Sequence, residues 1–143
     1  MREKIARKRS TKQIKKNCEK LYKEIIKIRD EHTCQWCKKD LRNEAEHVHH
    51  IIPRSRSAYL FYDLLNLILL CRDCHYRYGI DQAAGIRWFS EEFKVRWEYL
   101  HAPIVNERGI RQSRRCIVNS SWHKSDYEEI EIRLKEKLKE LTS

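Results

Sequence analysis

The chain has 143 residues, 36% of them charged, which suits one domain with a modest core and excludes two large ones. Lys and Arg outnumber Asp and Glu by 31 to 21, giving net +10 and a pI near 9.4, so a nucleic-acid partner fits better than a membrane surface. No apolar run approaches the roughly 20 residues of a membrane span, and the basic N-terminus lacks a secretory apolar stretch, so a reducing cytoplasm is expected.

Residues 1–16 carry eight Lys or Arg and one Glu, a local charge of +7, and are expected to form a flexible basic arm. Arg7, Lys8 and Arg9 are its candidate DNA contacts. Apolar residues then recur at Ile14, Cys18, Leu21, Ile25 and Ile28, which predicts an N-terminal helix with one buried face. Cys34 and Cys37 form a CxxC knuckle. The run "AEHVHHIIP" reads as a strand stopped by Pro53, and "NLILLC" as a second short buried strand. Between them lies a loop with Arg54, Arg56, Tyr59, Phe61 and Tyr62, whose aromatics are expected to pack rather than stack on bases.

"CRDCHYRYG", residues 71–79, predicts a second knuckle running into a helix. "SEEFKVRWEYLHAP" predicts a helix capped by Ser90, with Phe93, Trp97 and Leu100 on one face and Pro103 as its stop. The following stretch is basic and irregular. The last segment predicts a helix opened by a Ser125–Glu128 capping box, with Tyr127, Ile130, Leu134, Leu138 and Leu141 as its apolar stripe.

Cys34, Cys37, Cys71 and Cys74 make two CxxC pairs with 33 residues between them. In a reducing compartment that spacing points to a closed tetrahedral zinc site rather than to disulfides. Metal-coupled folding would matter in a chain with so small a core. Cys18 and Cys116 read as unpaired structural residues, and His32, His101 and His123 as ordinary surface or packing residues.

The order His49-His50-Ile51, Asn66-Leu67, Cys71-Arg-Asp-Cys74-His75 resembles the zinc-stapled branch of the HNH endonucleases, over roughly residues 29–79. The resemblance implies an α+β fold: a ββα-metal core with a four-cysteine zinc knuckle, flanked by N- and C-terminal helices. The domain would run from residue 17 to 143, with a helical extension over 80–143. It implies that His50 is the general base, that His49 and His75 hold a catalytic Mg²⁺ or Mn²⁺, and that Asn66 braces the catalytic loop. The implied reaction is hydrolysis of DNA to 5′-phosphate and 3′-hydroxyl ends. Where relatives often have glycines after the proline, this chain has Arg54 and Arg56, whose guanidiniums are candidate grips on the scissile strand. Many relatives carry another histidine four residues after the one in "CH"; here that position is Gly79.

Strand alternation sets His47 and His49 on one face and His50 on the other, so a local twist or bulge is expected if His49 and His50 share a site. The tail resembles, in layout, phage recombination nucleases of the NinG (Rap) type, which act on branched DNA. The substrate implied is therefore duplex or branched DNA, and a homodimer would cut both strands. The alternative is a zinc-bearing DNA-binding module without cleavage, for which Gly79 speaks. A zinc protein that binds protein partners fits the charge poorly.

Overall fold

A computed structural model describes residues 8–105, 111–113 and 122–143. Helix α1, Thr11–Arg29, opens on a reciprocal cap: Gln13 N–H donates to Ser10 Oγ at 3.2 Å, and Ser10 N–H donates to Gln13 Oε1 at 2.8 Å. That cap starts the helix ahead of Ile14, so residues 11–16 of the basic segment are helical. Ile14, Cys18, Leu21, Tyr22, Ile25 and Ile26 are buried along one face.

That face packs on the closing helix α5, Lys124–Thr142, through Tyr127, Ile130 and Leu134. Helix α5 starts earlier than a Ser125 cap would allow. His123 N–H donates to Asp126 Oδ2 at 2.7 Å, and Trp122 packs against Tyr127 with ring centroids 5.7 Å apart. The aromatic pair staples the chain across the first turn and sets the entry point two residues upstream. Buried Glu131 joins the two helices: Arg9 donates to both its oxygens at 2.6 and 2.7 Å, and Asn17 donates at 2.9 Å. Its carboxyl is held down to about 2, chiefly by the Arg9 hydrogen bond.

Strands β1, Glu46–His50, and β2, Leu67–Cys71, pair antiparallel from Glu46↔Cys71 to His50↔Leu67 without a bulge. Helix α2, Arg72–Ile80, follows β2 directly, and Cys71 Sγ caps it by accepting from Cys74 N at 3.3 Å. Both α1 and α2 pack on the hairpin. Every residue of β2 is buried, which is why its sequence is an unbroken apolar run. The core is therefore α+β, a ββα unit with helices before and after it.

Beyond α2 the structure departs from the expected single helix. Helix α3, Gln82–Glu92, is capped by Asp81, which accepts from Ala84 N at 3.1 Å; helix α4, Lys94–His101, follows a break at Phe93. Ser90 lies inside α3 and donates to the Arg87 carbonyl at 3.0 Å, so it caps nothing. Asp81 won because an Asx cap with three helical residues behind it satisfies orphan donors that Ser90 never faces. Gly85 lets α3 lie against α2, since a Cβ there would strike the Tyr78 ring. Part of the stretch expected to be irregular pairs as two short strands, β3, Pro103–Val105, and β4, Arg111–Ser113. Among the described residues no helix is long and apolar enough to cross a membrane.

The Glu131 latch has an acid signature. Its folded pKa of about 2 lies below the ordinary 4.5, so its stabilisation is complete above pH 4.5 and is lost as pH falls toward 2. The melting temperature should drop across that window, and Glu131→Gln should flatten the drop while lowering stability at neutral pH. An unchanged acid profile in the variant would refute the latch.

Candidate active site

The two cysteine pairs converge. The sulfurs of Cys34, Cys37, Cys71 and Cys74 lie within 4.8 Å of one another, and Cys37 and Cys71 are 3.8 Å apart. A tetrahedron of zinc–sulfur bonds near 2.3 Å has sulfurs about 3.8 Å apart, so the donor set fits zinc. The first knuckle turns tightly: Lys38 N–H donates to the Cys34 carbonyl at 2.8 Å, with Lys38 itself at φ 66°. Burial pushes the Cys34 thiol up, but backbone N–H groups of Cys37, Cys71 and Trp36 outweigh it and hold the thiol below its ordinary value. Those donors favour the thiolate a metal needs. None of the five described cysteines is in a disulfide; Cys18 is buried in the α1–α5 interface, and Cys116 lies outside the described residues.

The histidines obey strand alternation. His47 and His49 meet His75 of α2, with ring centroids 5.0 and 5.2 Å away, and His47 Nδ1 is 3.2 Å from His75 Nδ1. His50 turns the other way and stacks on Phe61 at 4.4 Å. No bulge is needed to bring His49 and His50 to one site. β1 ends at His50 and the chain bends at Ile51, and both residues line a cavity of about 220 Å³ at the loop end of the hairpin. Arg56, Tyr78, Gly79 and His101 also line it.

Burial governs the charge of these imidazoles. It pushes His49 down to about 3, with His75 and His50 adding to the effect, and it lowers His50 and His75 as well. All three are neutral at pH 7, the form that ligates metals and accepts protons. His50 has its tautomer fixed. Its Nε2 lies 3.1 Å from the Phe61 carbonyl, which can only accept, so Nε2 carries the hydrogen and Nδ1 keeps the lone pair.

Asn66 is fully buried and braces the loop that carries this arrangement. Its Oδ1 accepts from Ile52 N at 2.7 Å, and its Nδ2 donates to the carbonyls of Ile52 and Leu60 at 3.0 and 3.1 Å. Two guanidiniums hold the backbone around it. Arg29 donates to the Leu64 and Leu67 carbonyls, both at 2.6 Å, and Arg96 donates to those of Leu65 and Leu67 at 3.0 and 2.7 Å. Burial, then neighbouring Arg29, lowers Arg96 to about 10, so it remains charged.

The expected DNA contacts divide. Arg54 and Arg56 are exposed on the loop after β1, with Arg54 over the Phe61 ring at 5.5 Å. Lys8 is exposed, the Arg9 guanidinium is engaged by Glu131, and Arg7 lies outside the described residues. Phe61 and Tyr62 pack against Tyr22, and Tyr62 against Trp122. His32 pairs with Glu46 at 3.1 Å.

Three buried side-chain polar atoms among the described residues have no hydrogen-bond partner: His49 Nε2, Tyr78 Oη and His101 Nε2. All three residues line the His49–His50 cavity. Such atoms cost about 1–3 kcal/mol each when unpaired. Tyr78 and His101 carry no sequence signal for this placement, since neither belongs to a motif and only the packing of α3 and α4 brings them in.

Comparison with known families agrees with the geometry. Residues 34–79 match the family model of the HNH endonuclease. The matched segment runs from Cys34 to Gly79 and takes in both knuckles, the hairpin and nearly all of α2. No curated protein and no solved structure matches the chain, so the likeness of the tail to NinG-type nucleases finds no support there.

The protein should carry about one zinc per chain, and Cys34→Ser or Cys71→Ser should unfold it; well-folded protein without zinc in elemental analysis would contradict this. Asn66→Ala should destabilise the domain by about 3 kcal/mol in denaturant unfolding, because it strands three buried backbone groups of Ile52 and Leu60. A loss below roughly 1 kcal/mol would show that water replaces the brace.

Proposed function

We propose that this protein is a metal-dependent endonuclease that hydrolyses DNA phosphodiester bonds. The observation that carries the reading is His50: a neutral imidazole with its hydrogen committed to the Phe61 carbonyl, lining one cavity with His49. In this reading His50 Nδ1 takes a proton from water as its oxygen attacks phosphorus. The bond from phosphorus to the 3′ oxygen breaks, the 3′ oxygen takes up a proton from solvent, and the products are 5′-phosphate and 3′-hydroxyl ends. His49 and His75 would hold a Mg²⁺ or Mn²⁺ ion, whose charge would stabilise the phosphate and the departing oxygen.

The chain's other residues keep this geometry. Asn66 fixes Ile52 and Leu60, and with them the loop whose Phe61 carbonyl orients His50. Arg54 and Arg56 grip the strand beside the cavity, where bidentate guanidinium–phosphate bonds both bind and register. Lys8 adds sequence-independent attraction, and Arg7 belongs with it in this reading. The zinc held by Cys34, Cys37, Cys71 and Cys74 is structural. Duplex and branched DNA are both candidate substrates, met in the cytoplasm, and a homodimer would bring two sites to two strands.

The second reading, a DNA-binding module without cleavage, rests on Gly79, which leaves the helix one ligand short. Substitutions separate the two. His50→Ala should abolish cleavage of supercoiled and branched DNA while DNA binding persists. His49→Ala and His75→Ala should recover in part at raised Mn²⁺, since mass action refills a weakened ion site but replaces no proton acceptor. Near-parental cleavage by His50→Ala would overturn the mechanism, and a parent inactive on every substrate would leave the binding module.

A further inference from the structure

The cavity of about 220 Å³ that His49 and His50 line has further walls that the proposed reaction does not use. Ile51, Ile52, Pro53, Ile86 and Trp97 make those walls largely apolar. Set among them are Tyr78 and His101, whose Oη and Nε2 atoms are buried and lack a hydrogen-bond partner. Tyr78 is only 4% exposed, so bulk solvent does little for its hydroxyl.

Both atoms have definite hydrogen-bonding roles. His101 Nδ1 lies 2.8 Å from the Trp97 carbonyl, which can only accept, so Nδ1 carries the hydrogen and Nε2 keeps the lone pair. The His101 ring also packs on Trp97, with centroids 3.9 Å apart. Burial pushes the Tyr78 phenol up to about 12, so it keeps its proton and can both donate and accept. Its ring is fixed against His49, with centroids 4.2 Å apart. Apolar walls with one fixed acceptor and one hydroxyl suit a flat ring that carries N–H and acceptor groups along one edge. A sugar would turn hydroxyls onto the isoleucines, and an anion would meet the lone pair of His101. The pairing edge of a DNA base has the required pattern, and its faces are apolar.

Arg56, exposed on the loop after β1, belongs to the same lining as His50. A strand gripped by Arg56, with a phosphate at His50, therefore brings a neighbouring base to these walls. We propose that the cavity receives one unstacked base of the DNA strand, from a nucleotide flanking the phosphate that His50 acts on, with His101 Nε2 and Tyr78 Oη bonding to its edge. This rests on the endonuclease reading above and names a feature of the substrate. A paired base must first leave the duplex, whereas an unpaired one is already free to enter, so DNA with an unpaired base at the cut is preferred.

The test reads DNA binding by zinc-loaded protein without added Mg²⁺ or Mn²⁺, so that the DNA stays intact. Fluorescence anisotropy compares a duplex bearing one unpaired nucleotide with the same duplex in which that nucleotide is abasic. Charge is identical in the two, so phosphate contacts cancel. The base should tighten binding on the order of tenfold. Tyr78→Phe and His101→Asn should each reduce that advantage severalfold and leave the affinity for abasic DNA unchanged; the asparagine amide can still donate to the Trp97 carbonyl. The melting temperature of Tyr78→Phe should hold or rise, because the hydroxyl it removes has no partner in the free protein. Equal affinity of the parent for both duplexes, with cleavage intact when Mn²⁺ is added, would overturn the proposal and leave the endonuclease reading standing. A base advantage that survives both substitutions would place the base elsewhere and overturn it too. Equal losses on both duplexes with a lowered melting temperature would assign the two side chains a packing role, against the proposal. Displacement of the DNA by micromolar deoxynucleoside monophosphate, lost in both variants, would give the cavity to a free nucleotide instead. A parent that neither binds nor cleaves any of these DNAs would remove both readings.

Discussion

Four sulfurs held within 4.8 Å tie together two segments separated by 33 residues, and the rest of the domain depends on that tie. A hairpin of two five-residue strands is marginal by itself. Here it is fastened at both ends by different chemistry. The thiolates close the end where Glu46 pairs with Cys71, and Cys71 serves at once as strand residue, helix cap and ligand. Asn66 closes the other end, where His50 pairs with Leu67. His50 sits at the Asn66 end, away from the four sulfurs, whereas His75 directly follows Cys74 on α2 and meets His47.

Holding Asn66 uses charge that would otherwise face DNA. Arg29 and Arg96 direct their guanidiniums to the carbonyls on either side of it, and Asp30 accepts from Leu69 N at 2.9 Å to seat β2 on the end of α1. Arg9 is committed to Glu131 in the same way. A net charge of +10 therefore overstates what this surface offers to phosphate, because at least three of the arginines work as internal clamps. Removing one would perturb the loop geometry before it changed any electrostatic steering.

Much of this was legible from sequence because it rests on short-range pattern. The CxxC spacing, the apolar run of β2, the stripes of α1 and α5 and the grouped histidines are all local signals, and the helix–strand order followed from them. The failures were also physical. Ser90 looked like a cap, but Asp81 offered a better one upstream and the break fell at Phe93. Ser125 lost to Asp126 because Trp122 and Tyr127 decide where the chain enters α5. The Phe61 carbonyl, which fixes the His50 tautomer, is a backbone atom on a loop and leaves no mark in residue identity. His101, expected to be an ordinary surface or packing residue, packs on Trp97, and that it also lines a cavity is a tertiary fact no local pattern carries.

The family match stops at Gly79, yet the cavity wall does not. Gln82, Ile86, Trp97 and His101 come from beyond it, so α3 and α4 complete that wall. Their covering has a double effect. Burial keeps His49, His50 and His75 neutral at physiological pH, which suits ligation and proton transfer. The same burial strands His49 Nε2, Tyr78 Oη and His101 Nε2 without partners, an arrangement that works against folding by several kcal/mol at about 1–3 kcal/mol each. A core formed for stability alone would have replaced them with apolar groups of similar shape. Any polar group that bound in this lining and satisfied them would raise the stability of the folded chain.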